Sequence, residues 1–165
     1  MKAKNFREVR GAPYTRKEYI RGSPASKITK FTMGDTKTTF PIQARLIANE
    51  EVQIRHNALE AARVASNRVL MTKLGNAYIL RVIPYPHTIL RENKMIFGAH
   101  ADRLQDGMRK AFGKPVGIAA RVKVGQPIIE VGVNENAVEV AKEALKRGQN
   151  KLPIPCRITV EKTPN

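Results

Sequence analysis

The stretch FPIQARLIANEEVQIRHNALEAARVASNRVLMTKLGNAYILRVI, residues 40–83, decides the fold class. Its opening, FPIQARLIA at 40–48, partly alternates apolar and polar side chains with the period of a half-buried strand. Pro41 has no N–H to donate, so it fits only the start or edge of that strand. From Asn57 to Leu74 the spacing changes. Leu59, Ala62, Val64, Ala65, Val69 and Leu70 recur at about 3.6 residues on a broad face, while Arg63, Asn67, Arg68 and Lys73 lie mostly elsewhere. This is an amphipathic helix, and Gly75 is its natural stop. EEVQIR before it reads as an extra helical turn or a loop. After Gly75-Asn76, AYILRVI at 77–83 reads as a strand again, ended by Pro84 and Pro86, because each removes a ladder donor and fixes φ.

Toward the C-terminus, residues 117–124 and 127–133 are β-rich runs joined by Gly125-Gln126, which predicts a hairpin. Residues 135–147 place Ala137, Val138, Val140, Ala141, Ala144 and Leu145 on one helical face, with Asn134 as N-cap and Gly148 as the close. Residues 154–160 read as a last strand. The sum is an α+β fold, a mostly antiparallel sheet with two long helices packed on it. Without an internal repeat, the chain reads as one domain: a globular part at 40–165 and a basic N-terminal arm at 1–39 that belongs to it.

That arm interleaves Arg7, Arg10, Arg16, Lys17, Arg21, Lys27 and Lys30 with Tyr14, Tyr19 and Phe31. A solvated tail has no use for the aromatics, whereas in RNA binding they stack on bases or dock on the body. A second cationic segment interrupts the body at 98–122, GAHADRLQDGMRKAFGKPVGIAARV. Glycines recur there at Gly98, Gly107, Gly113 and Gly117 among Arg103, Arg109, Lys110, Lys114 and Arg121. Few large apolar residues are available to offset the entropy of ordering it, so it reads as a long loop ordered by a polyanion. The planar fork of arginine bridges phosphate oxygens or stacks on a base, which puts Arg103, Arg109 and Arg121 ahead of Lys110 and Lys123 as contacts.

Composition agrees. Thirty Lys and Arg face fourteen acids in 165 residues, a formal charge of +16 that suits a nucleic-acid partner. The basic amphipathic helix with bulky apolar anchors that a membrane surface demands is missing, as is any transmembrane run, and there is no Trp. A single cysteine, Cys156, excludes an internal disulfide framework and zinc sites built on several cysteines. It reads as a small core residue of a reducing, cytoplasmic protein, and the basic N-terminus lacks the apolar run of a signal peptide.

Catalytic patterns do not emerge. Gly107 to Lys114 superficially resembles a phosphate-binding loop, but five residues rather than four separate Gly107 from Gly113, and Pro115 stands where a magnesium-binding Ser or Thr is required. His56, His87 and His100 have no metal-ligand spacing and read as surface, capping or packing residues. No cofactor is expected, and the chain does not read as an enzyme.

Four segments carry a family resemblance: AP-YTRKEYIRGSPASKI at 12–28, QIRHNALEAARVASNR at 53–68, LRENK at 90–94 and ADRLQDGMRKAFGKPVGIAARV at 101–122. In these the chain resembles the archaeal and eukaryotic large-subunit ribosomal protein L-ten-e, counterpart of bacterial L-sixteen. The resemblance implies an α/β-hammerhead body on large-subunit rRNA near the central protuberance and peptidyl-transferase region. It implies that Arg16, Arg21 and Lys27 anchor rRNA. It further implies that Arg103, Arg109, Lys110, Phe112, Lys114 and Arg121 lie nearest tRNA and rRNA, with neighbouring ribosomal proteins and subunit assembly factors as further partners. Two other classes use the same basic surface: an RNA-modifying enzyme, which needs a cofactor pocket or an acid and base, and a free single-strand RNA-binding module, which needs an exposed aromatic platform. Aromatics make up only 5% of this chain.

Overall fold

The computed structural model describes residues 3–93 and 113–162. Eight strands form two antiparallel sheets, on which two helices lie. In chain order the elements are β1 (Thr32–Gly34), β2 (Ile42–Ala48), β3 (Val52–Arg55), α1 (His56–Leu74), β4 (Ile79–Val82), β5 (Thr88–Glu92), β6 (Lys114–Val122), β7 (Pro127–Val133), α2 (Val138–Gln149) and β8 (Cys156–Lys162). The larger sheet has the order β1-β4-β7-β2-β8 and the smaller β3-β6-β5.

The alternation in 40–48 does what its period requires. Ile42, Ala44, Leu46 and Ala48 are buried, and Gln43, Arg45 and Ile47 are half-exposed on the other face. Helix α1 buries Leu59, Ala62, Ser66, Val69 and Leu70, and Gly75 ends it at φ 61° while donating its N–H to the Met71 carbonyl. Val64, assigned by spacing to the apolar face, points outward instead, 48% exposed. Helix α2 buries Ala141, Ala144 and Leu145, with Val138 and Val140 half-buried against the same core. One apolar cluster joins both layers, since Val52, Ile54, Ala120 and Val122 of the small sheet pack with Leu46, Leu80 and Val131 of the large one.

Several sequence expectations are corrected. The runs around Gly125 do not form a hairpin. Strand β6 pairs with β3 and β5, whereas both flanks of β7 are taken by β4 and β2. Gly125, at φ 79°, turns the chain from one sheet into the other, its N–H donating to the Ala48 carbonyl. The predicted single sheet is therefore two. EEVQIR contains β3, the stretch after Pro86 holds β5, and Thr32–Gly34 of the arm pairs with β4. The β-rich run expected from 117 is strand as far as Val122, and that strand begins earlier, at Lys114, so the last nine residues of the stretch 98–122 do not belong to the loop.

Asn134 does not cap α2 with its side chain; its carbonyl instead accepts from the Ala137 N–H at 3.0 Å, forming a short 3₁₀ turn ahead of the helix. Gly148 does not end α2, which continues to Gln149, and packing explains the residue. A Cβ at Gly148 would stand 2.3 Å from Ser66 Oγ of α1, whose hydroxyl donates to the Ala144 carbonyl at 3.0 Å. The helices cross there because a residue without a side chain meets a small one. Gly148→Ala should therefore destabilise the protein by roughly 1–3 kcal/mol through overpacking, read as a lower denaturation midpoint. Adding Ser66→Ala should recover part of that loss, since it removes the clashing oxygen.

Candidate nucleic-acid interface

The small sheet is wrapped by the basic arm. Gln53 of β3 donates its backbone N–H to the Arg7 carbonyl at 2.8 Å and its side-chain amide to the Phe6 carbonyl at 3.2 Å. Arg121 of β6, opposite Gln53 in the register, donates to the Gly11 carbonyl at 2.7 Å and to the Arg10 carbonyl at 3.3 Å. On β5, the Ile89 N–H donates to the Tyr14 carbonyl at 2.8 Å, and the Arg91 guanidinium stands 4.4 Å from the centre of the Tyr14 ring. Residues 6 to 14 thus pass from one edge of the sheet to the other across the face that carries Gln53 and Arg121. Val52, Ile54, Ala120 and Val122 point from the opposite face into the main core. Ile20 then packs on Ile89 and Ile118. The Lys27 N–H donates to His56 Nδ1 at the start of α1, at 3.1 Å, and Ile28 enters the main core.

The arm is attached through its main chain and its apolar and aromatic side chains, so its cationic side chains stay outside. Arg7, Arg16, Lys17, Arg21, Lys27 and Lys30 are exposed and have no ion-pair partner among the described residues. Arg10 pairs with Glu8 at 2.6 Å. On the large sheet and α2 several acids are spent on pairs: Arg45 meets Glu130 at 3.1 Å and Glu161 at 2.8 Å, Lys142 meets Glu139 at 2.8 Å, and Lys162 meets Glu135 at 3.0 Å. Such surface pairs add little stability, but they neutralise that side. The excess positive potential is left on the arm and the small sheet.

Of the predicted contact residues, Arg16, Arg21 and Lys27 lie exposed on the arm, and Lys114 is exposed at the start of β6, opposite Glu92 of β5. Because Glu92 and Lys114 pair, both ends of the connection 93–113 spring from one end of the small sheet. Gly113 is required at that joint: at φ 86°, a Cβ there would stand 2.9 Å from the Glu92 carbonyl carbon. Arg103, Arg109, Lys110, Phe112 and His100 lie outside the described residues. Arg121, expected at the RNA, has two of its donors occupied by arm carbonyls. Gln53 and His56, which hold the arm, carried no sequence signal, because a backbone-to-side-chain contact between distant segments leaves no periodicity. Of the arm aromatics, Tyr14 and Phe31 dock on the body, Phe31 with its ring 5.4 Å from that of Tyr85, while Tyr19 is 75% exposed and open to stacking.

Among the described residues no group of His, Cys, Asp and Glu could hold a metal, and no helix is long and apolar enough to cross a membrane. Cys156 is half-buried at the start of β8, where burial pushes its thiol up to about 11, so it packs as a neutral group. Burial, and then Lys27 and Arg55, push His56 below its ordinary value of 6.5.

A neutral His56 accepts the Lys27 N–H, and protonation removes that acceptor. With the folded pKa lowered, the contribution to stability is complete above about pH 6.5 and is lost as pH falls below it. Thermal midpoints of the wild type should accordingly fall between pH 7.5 and pH 5, more than those of His56→Gln. Arg121→Met should release residues 6–14 and speed tryptic cleavage after Arg10 and Arg16 severalfold, while the circular-dichroism spectrum of the body stays the same.

The family described as ribosomal protein L16p/L10e matches residues 9–159. Relatives named "Large ribosomal subunit protein uL16" are similar along nearly the whole chain. That of Hyperthermus butylicus is 56% identical over 151 residues, covering 91% of this chain and 84% of its own. That of Staphylothermus marinus is 54% identical over 157 residues, covering 94% and 90%. That of Methanococcus maripaludis is 48% identical over 161 residues, covering 97% and 93%. A basic arm folded onto a small sheet, on a body matched from residue 9 to residue 159, leaves one conclusion: the chain belongs to the L16p/L10e family of ribosomal proteins.

Proposed function

We propose that the chain is a structural constituent of the large ribosomal subunit that binds large-subunit rRNA near the central protuberance and peptidyl-transferase region and supports tRNA there. The observation that carries this reading is the joint presentation of arm and loop. The arm's exposed cations and both ends of the connection 93–113 are held by the same three-stranded sheet. A partner gripping one is therefore in register with the other.

In this reading Arg16, Arg21 and Lys27 neutralise rRNA phosphates. The loop, with Arg103, Arg109, Lys110, Phe112 and Lys114, extends toward tRNA and orders between tRNA and rRNA. Arg121 serves the interface indirectly, by holding the arm carbonyls. The body is of the α/β-hammerhead type, and arm and body form one domain. Peptide-bond chemistry belongs to the rRNA, so the protein acts by positioning, without a cofactor, in the cytoplasm as part of the ribosome. Neighbouring ribosomal proteins complete its surroundings, and assembly factors meet it during subunit maturation.

The chain, tagged and expressed in an archaeal host, should sediment in a sucrose gradient at moderate salt with large subunits and whole ribosomes. Arg16→Gln/Arg21→Gln/Lys27→Gln should shift it toward the soluble fraction without lowering its melting temperature. Wild-type protein found only in the soluble fraction would overturn the ribosomal reading in favour of a free RNA-binding module or an RNA-modifying enzyme.

A further inference from the structure

Two shallow grooves have Asn150 and Lys151 in common. One, where the arm begins on the outer edge of β3, is bordered by Arg7, Arg55 and Ala58 together with Asn150 and Lys151, which follow α2. The other runs between α1 and α2 and is bordered by Arg68, Lys73 and Arg147 over a floor of Ala65 and Val69, and it too reaches Asn150 and Lys151. Asn150 and Lys151 therefore form a saddle, and the two grooves make one path from the root of the arm to the outer side of the helix pair.

Among the described residues, the only acid bordering this path is Glu143, and it is already engaged by Lys73 and by Arg147. Those two cations have an ordinary explanation: each pairs with Glu143 and lies in the last turn of its helix, where the free carbonyls favour positive charge. The remaining four do not. Arg68 sits more than a turn from the end of α1, and Lys151, although it too follows the C-terminus of α2, has no acid to pair with there. Arg55 immediately precedes α1, the end at which the helix dipole disfavours a cation, and the first turn of α1 contains no acid to compensate. Arg7 has only its main chain engaged, its N–H by the Lys4 carbonyl and its carbonyl by Gln53. None of the four has an ion-pair partner among the described residues.

We propose that this path is a second RNA-binding track, on which a phosphate backbone runs from Arg7 and Arg55 over Lys151 to Arg68. The inference rests on the rRNA-binding reading above and extends it from the arm and loop to the helical side of the molecule. The floor favours RNA over an acidic protein segment. Both grooves are open, and their apolar lining, Ala58, Ala65, Val69, Leu152 and Pro153, includes no aromatic side chain for the bulky anchors of a protein partner to pack on, whereas a sugar-phosphate backbone needs only spaced cations and a low floor. Asn150, exposed at the saddle, adds an amide that can donate to a phosphate or a 2′-hydroxyl.

The test measures binding of the full chain to protein-free large-subunit rRNA of Methanococcus maripaludis across a salt series. Each phosphate contact contributes a slope of roughly −0.7 to −0.9 in log K against log salt. Arg68→Gln/Lys151→Gln should make the slope shallower by about 1.4–1.8, with an unchanged melting temperature, and Lys151→Gln alone by about half of that. Arg68→Lys/Lys151→Arg should retain the wild-type slope. An unchanged slope in the groove variants, with a shallower one in Arg16→Gln/Arg21→Gln, overturns the track and leaves the arm reading standing. An unchanged slope in both sets overturns the rRNA-binding reading itself. Poly-glutamate binding that Arg68→Gln/Lys151→Gln abolishes, together with an unaltered RNA slope, assigns the groove to an acidic protein segment and overturns the track.

Discussion

Strand β6 is covered on both faces, and one of its covers is the arm, a segment carrying most of its charge as exposed cations. The interaction that makes this compatible with folding is the fork of Arg121 on the carbonyls of Arg10 and Gly11. A guanidinium has five donors and no acceptor, so it can bind two consecutive carbonyl oxygens that would otherwise need water. Gln53 and Ile89 hold the arm on either side through the carbonyls of Arg7 and Tyr14. Every one of these contacts uses the arm's backbone, and none uses one of its charged side chains. The arm is therefore fixed in place with its ammonium and guanidinium groups still available to a partner.

The same economy governs the distribution of charge. Acids on β7, β8, α2 and the short turn before α2 are matched with nearby cations. The excess of +16 falls chiefly on the arm, on the mouth of the connection 93–113, and on the path over Asn150 and Lys151. Mutual repulsion among these groups works against the isolated fold, and phosphates relieve it. The neutral state of His56 belongs to the same scheme, because a protonated imidazole beside Lys27 and Arg55 would add charge where it is already concentrated.

Periodicity made the large elements legible. The alternation of Ile42, Ala44, Leu46 and Ala48 and the spacing of Leu59, Ala62, Val69 and Leu70 each reflect one face meeting one core. Strands β3 and β5 were not legible, because each is short and β6 completes it from a distant part of the chain. Gly148 illustrates a different failure. In sequence a glycine near the end of a helical pattern signals a stop, but its cause here is a contact with Ser66, eighty-two positions earlier by numbering, and contacts of that kind have no local signature.

The chain's polyanionic partner, its α+β class and its family were determined by the sequence alone, since charge, side-chain period and motif order are properties of the linear chain. The tertiary structure decided the rest. It split the strands between two sheets, because β7 has only two edges and β4 and β2 occupy them. It also placed two donors of Arg121 on the arm's carbonyls, because which acceptors a guanidinium meets depends on what the fold brings within about 3 Å of it.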